Sequence, residues 1–185
     1  MPQATAILRE EHETILKILG ATEEAARRIH SGGSVYPETL NGLIEFFRLF
    51  ADVCHHGKEE ELLFPFLEKR GMPRAGGPIG VMLHEHEEGR ALVRNMAEAA
   101  DACNWGEDSQ KQFAHAARRY SELLRQHIAK ENDILFVMAE KMLTAEEQEK
   151  LAADFEKVEV ENLGMGTLEH LHVSMQKLVA ELTPP

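Results

Sequence analysis

Cysteine is scarce: Cys54 and Cys103 are the two thiols in 185 residues. Neither belongs to a C-x-x-C pair, and their placement resembles no disulfide framework, so the expectation is a reducing compartment and two structural thiols. Positive charge is in deficit as well, with 20 Lys and Arg against 32 Asp and Glu, a net charge of -12. Such an excess repels phosphate backbones and anionic membrane surfaces, so neither nucleic acid nor membrane is expected as a partner. No apolar run is long enough to span a bilayer, and Met1-Pro2-Gln3 leads into polar helical sequence without a basic-then-apolar signal region. A cytoplasmic location is expected. Strand-period segments, low-complexity tracts and solenoid repeats are missing. So are G-x-S-x-G, a phosphate-cradling glycine loop and a dinucleotide fingerprint, which sets aside hydrolase and nucleotide-dependent readings.

What the chain does contain is helical periodicity. From about Ala4 to Ile29, Leu8, Ile15, Leu16 and Leu19 recur on one stripe, ended by Ser31-Gly32-Gly33-Ser34. Pro37 and Glu38 open a second helix that reaches about Lys69, with inner positions Leu49, Val53, Leu63, Phe64 and Leu67 and an interruption at Pro65. After a Gly/Pro-rich loop, the third helix runs from about Ile79 to Ala102 on a stripe of Met82, Leu83, Val93, Met96 and Ala100. Asn104-Trp105-Gly106 breaks the chain, and Asp108 or Ser109 can cap a fourth helix that fades near Leu143 on the stripe of Phe113, Tyr120, Leu124, Leu135 and Met138. Four long helices with short connections predict an all-α fold, an up-down-up-down antiparallel four-helix bundle over residues 1–143. Residues 144–185 are expected to form a C-terminal helical extension packed on the bundle: a capping-box helix from Thr144 to about Val158, then an amphipathic helix capped by Thr167.

Each stripe carries a group that does not belong among hydrocarbon. His12 lies on the first, His56 and Glu60 on the second, His86 on the third, and His127 and Glu131 on the fourth. Residues four apart share a helix face, so each H-x-x-x-E pair points an imidazole and a carboxylate inward together. Burying such groups without a partner is costly, and their convergence from four helices predicts a metal site. Imidazole plus carboxylate without thiolate suits iron, manganese or zinc rather than calcium or magnesium. Six ligands exceed one tetrahedral zinc, and two carboxylates can bridge, which favours two ions with iron ahead of manganese or zinc.

The other histidines read differently. His55 falls about 100° from His56, on the face of Arg48, Asp52 and Glu59, and is expected to be solvated. His84 and His115 read as surface, and His30 sits at a helix end where a cation complements the dipole. His170 and His172 lie on the last helix, outside the inner constellation. Glu59 and Glu61 are expected on the charged outer face, and Tyr120 in the core with a hydrogen-bonded hydroxyl.

With these residues in view, the stretch from about Ala4 to Leu143 resembles a hemerythrin-like protein of the HHE cation-binding group. His12, HHGKEEELLFP, LHEHEEGR and HIAKEND carry the resemblance. It implies an oxo- or hydroxo-bridged di-iron centre, with His12 and His56 on one iron, His86 and His127 on the other, and Glu60 and Glu131 bridging. The chain departs from the oxygen-carrying hemerythrins at Met82, where they place a further histidine, and at Glu131, four residues after His127 where they have an aspartate at five. One imidazole fewer weakens a dioxygen-transport reading. The function expected is a non-haem di-iron protein that binds or senses oxygen, nitric oxide or peroxide, with weak oxidase, peroxidase or catalase-like activity left open. Iron storage or buffering and a metal-dependent regulatory module are the alternatives, and a homodimer is left open.

Overall fold

The computed structural model describes residues 3–101 and 106–183. Cys103 and the expected break at Asn104-Trp105 lie outside them. Helix α1 spans Ala4–His30. The second long helix begins as α2 (Pro37–Phe46), widens into π-helical segments π1 (Phe47–His56) and π2 (Glu59–Leu63), and tightens again as α3 (Phe64–Lys69). Helix α4 spans Pro78–Ala100. The fourth helix consists of α5 (Glu107–Lys130), a third widened turn π3 (Glu131–Leu135) and α6 (Phe136–Met142). Helices α7 (Ala145–Leu163) and α8 (Met165–Leu182) complete the chain. It is an all-α bundle with added C-terminal helices.

Local chemistry explains most boundaries. Thr144 and Glu147 form the reciprocal capping box that starts α7. Gly164, at φ +74°, turns the chain between α7 and α8 in a conformation that a side chain would strain. The caps expected at Asp108 or Ser109 and at Thr167 are instead Gly106 and Gly164, one residue before helices that start earlier than the sequence pattern indicates. Pro65 has no N–H to donate. The irregularity it enforces is taken up in π2, immediately before it, so the helix continues through the proline.

The widened turns also redistribute the faces. Val53 and Met138, expected on inner stripes, are 38% and 37% exposed. Both lie in or just beyond a π segment, where i to i+5 bonding takes more residues per turn and a 3.6-residue count drifts off the true face.

Two apolar clusters fill the bundle. One gathers Ile18, Leu43, Phe47, Met96, Phe113 and Leu124; the other gathers Leu8, Phe64, Met82, Leu135, Phe136 and Phe155. Along each of the four bundle helices, the break between the two clusters falls at or just beyond a histidine. The extension joins both, with Leu178 and Leu182 of α8 in the first cluster and Leu151 and Phe155 of α7 in the second. Helix α7 packs on α1, π1 and π2, and α8 packs on α1 and α2. Because the Phe155 ring is 1% exposed, Phe155→Ala should cost about 3–5 kcal/mol. Urea unfolding should show that loss in one cooperative transition; a loss below about 1 kcal/mol would mean that α7 is peripheral.

Candidate metal centre

Five imidazoles meet in the layer between the clusters: His12 from α1, His55 and His56 from π1, His86 from α4 and His127 from α5, none more than 4% exposed. Two carboxylates, Glu59 and Glu131, face them and are wholly buried. Each of these glutamates is the first residue of a five-residue π segment, Glu59–Leu63 and Glu131–Leu135. Both segments follow a histidine by four residues. Short π turns of this kind are concentrated at functional sites, because the widened backbone can re-aim a side chain.

Of the residues expected from the sequence, the structure brings together His12, His56, His86, His127 and Glu131. Glu60 does not join them. Its carboxylate turns outward, accepting from His86 Nδ1 at 2.6 Å and from Arg90 Nη2 at 2.6 Å. Glu59 takes the inner place and His55 adds an imidazole, both contrary to expectation. The cause is the π bonding of the second helix, which turns His55, His56 and Glu59 inward together. The doublet His55-His56 followed by three consecutive glutamates was the available signal, since it permits two H-x-x-x-E registers. His12 and His56, expected on one ion, are also separated. Ligand atoms within 4.8 Å of one another form one group of His56, Glu59, His86 and His127, and another of His12, His55, Glu59 and Glu131. Glu59 is common to both.

Four of the five imidazoles are held from behind by a hydrogen bond. Nδ1–H donates to Asn132 Oδ1 from His12 at 3.0 Å, to Glu11 from His55 at 2.8 Å, to Glu60 from His86 at 2.6 Å and to Glu85 from His127 at 3.0 Å. Nδ1 of His56 faces Asp52 at 3.4 Å without forming a hydrogen bond. Each acceptor is in turn gripped by a cation: Arg9 on Asn132, Lys58 on Glu11, Arg90 on Asp52 and Glu60, and Lys130 on Glu85. A carboxylate or amide oxygen only accepts, so Nδ1 carries a proton in these four rings and Nε2 is aimed inward. Rings stack to keep that aim: His12 on Phe136 at 5.4 Å and His56 on His86 at 3.8 Å between centroids.

Inside the ring of Nε2 atoms, hydrogen bonding fails. Nε2 of His12, His55 and His56 and all four carboxylate oxygens of Glu59 and Glu131 are buried without a hydrogen-bond partner. Nε2 of His12 comes within 3.1 Å of Glu131 without forming a hydrogen bond, and Nε2 of His86 meets Nε2 of His127 at 3.1 Å, two ring nitrogens with one proton at most between them. Orphaned acceptors at this density are a cost that cations would remove. The donor set of imidazole and carboxylate therefore fits metal ions. A neighbouring group, Glu11, Cys54 and Glu159, already contains a cation, because the buried Lys58 ammonium bonds both carboxylates. Burial pushes the Cys54 thiol up to about 12, which keeps it a thiol.

The family described as hemerythrin HHE cation binding domain matches residues 3–139. The chain belongs to that family. This hemerythrin-like chain is 31% identical over 148 residues to the iron-sulfur cluster repair protein YtfE of Musicola paradisiaca, covering 75% of the chain and 64% of the relative. The YtfE of Edwardsiella ictaluri is 30% identical over 138 residues, 70% and 60% of the two chains. Protein Rv1995 of Mycobacterium tuberculosis is 26% identical over 158 residues, 85% and 61%. The chain thus spans less than two thirds of the length of each of these relatives. No solved structure matches it significantly. Among the described residues, no helix is long and apolar enough to cross a membrane.

Without metal, the site titrates oddly. Burial and neighbouring imidazoles push His55 and His56 down, His56 to about 3, and burial also lowers His86. Burial alone would lower His127, but Glu131 and Glu85 outweigh it and raise His127 to about 9. Burial and the Glu131 charge push Glu59 well up. Below about pH 6.5 the unfolded chain protonates imidazoles that the fold keeps neutral, so stability falls with falling pH, by about 1.4 kcal/mol per pH unit for each net proton. Above it the fold retains protons on His127 and Glu59 that the unfolded chain gives up, so stability falls with rising pH through the raised His127 value. Urea midpoints of chelator-treated protein should accordingly peak near pH 6.5; a midpoint that climbs steadily toward pH 5 would contradict this.

Proposed function

We propose that this chain is a non-haem di-iron protein that binds a small ligand, oxygen, nitric oxide or peroxide, at a buried two-metal centre. The observation that carries the reading is the set of orphaned Nε2 and carboxylate oxygens facing one another across the mid-bundle layer. His56, His86 and His127 would hold one ion and His12 and His55 the other, with Glu59 spanning both and Glu131 placed against His12 and His127 at 3.1 and 3.2 Å. Iron there supplies one-electron redox chemistry and a coordination position for the small ligand. The protein's own residues do the rest. The cation-backed acceptors hold the imidazoles with Nε2 turned toward the ions, and the flanking apolar clusters keep bulk water from the ligands.

The names of the two YtfE relatives favour a second reading, in which the same centre serves the repair of iron-sulfur clusters. A simple labile iron sink fits less well, because the ligand atoms are enclosed rather than open to chelators. Storage would be favoured if a chelator stripped the metal rapidly and azide gave no spectral response. Repair would show as restored activity when the iron-loaded chain is added to an enzyme whose cluster nitric oxide has damaged.

Metal analysis with an absorption spectrum before and after azide is the direct test. Aerobic protein from iron-replete cells should carry two irons per chain and a ligand-to-metal band that azide shifts; fewer than one iron per chain would sink the proposal. Glu59→Gln should reduce the content to one ion or fewer. Glu60→Gln should keep both ions while lowering affinity about 10–100-fold, because it acts through His86.

A further inference from the structure

A cavity of about 170 Å³ opens from the surface between π1 and α4 and ends at His56. None of the other four inward imidazoles lines it. At a liquid share of about 30 Å³ per water it has room for a ligand of a few heavy atoms and little more. Its charge is unlike that of the molecule around it. Arg90 is committed to Asp52, Glu60 and Glu87, whereas Arg48 and Arg94, both exposed at the rim, have no ion pair among the described residues. Two unneutralised guanidinium groups thus stand over an opening that ends at His56, on a chain of net charge -12.

Two further features mark this cavity as maintained. Gly89 lines it in the middle of α4, where glycine costs about 1 kcal/mol against alanine. Neither backbone nor packing demands a glycine there: it is not among the glycines with positive φ, and an added Cβ would meet only Tyr120 Cε2, at 3.5 Å. What a longer side chain would fill is the cavity. Tyr120, 2% exposed, also lines it, and its hydroxyl, expected to be hydrogen-bonded, has no partner among the described residues.

We propose that this cavity is the access route to the metal beside His56, and that Arg48 and Arg94 select small monoanions, of the size of nitrite or azide, for that route. This inference rests on the metal-centre reading above. Rim charges of this kind act on association rate and its salt dependence more than on affinity.

The test uses iron-loaded full-length protein in stopped flow, with azide as the anionic probe and nitric oxide as the neutral one. Arg48→Gln/Arg94→Gln should slow azide association roughly 3–10-fold at low ionic strength and flatten its salt dependence, leaving nitric oxide unchanged. Gly89→Leu should slow both probes several-fold, whereas Gly89→Ala, which fits, should slow neither. An azide rate indifferent to both arginines and to salt would overturn the anion selection, and unchanged rates in Gly89→Leu would overturn the route. A second arm uses the metal-free protein, in which azide should shift the NMR signals of the Arg48, Gly89 and Arg94 amides and not those of the arginine variant. Failure to take up iron with those shifts intact would count against the metal centre and not the pocket; absence of the shifts in wild type would count against the pocket alone.

Discussion

The arrangement depends on one repeated interaction: an imidazole N–H bonded outward to an acceptor that a cation holds in place. Without it, five histidines in a hydrocarbon interior could each choose either tautomer and rotate toward whichever acceptor lay nearest. With it, the inner nitrogens all turn toward one another and toward the two central glutamates, and that crowding is held in place by the fold. The guard residues are ordinary surface charges by composition. Their position behind the imidazoles gives them their role, and a low-dielectric surrounding makes each such bond stronger and each failure costlier.

That polar layer shapes the bundle around it. The apolar core is divided into two clusters rather than one, and at the layer between them the second and fourth helices abandon α geometry. Regular α bonding would send some of His55, His56 and Glu59 to different faces. Widened turns let three near-consecutive side chains share one direction, a local departure from the most favourable backbone that stays where the surrounding packing determines it.

The sequence discloses the bundle almost entirely, because amphipathic stripes, Pro37, the Gly/Pro loops and the Thr144 capping box are local signals. It discloses five of the seven inward groups for the same reason: His12, His56, His86, His127 and Glu131 each stand on a stripe. Glu60 in place of Glu59, and His55 read as solvated, are errors of one kind. Both come from a 3.6-residue count carried through a segment that does not obey it, and the same count misplaced Val53 and Met138. Nothing in side-chain chemistry announces a π turn; the doubled histidine and tripled glutamate show only that two registers compete. The counter-ions Glu11, Asp52 and Glu85 are illegible for another reason, since their meaning lies in contacts between helices distant in sequence.

The match to the cation-binding domain ends at residue 139, yet Glu159 of α7 bonds Lys58 at 2.5 Å, and Lys58 grips the glutamate that aims His55. The tail is thereby wired into the centre through a single buried ammonium. A chain cut where the shared segment stops would leave Lys58 to Glu11 alone and admit water behind one ligand, so inheritance of the core segment alone would not transmit the same coordination chemistry.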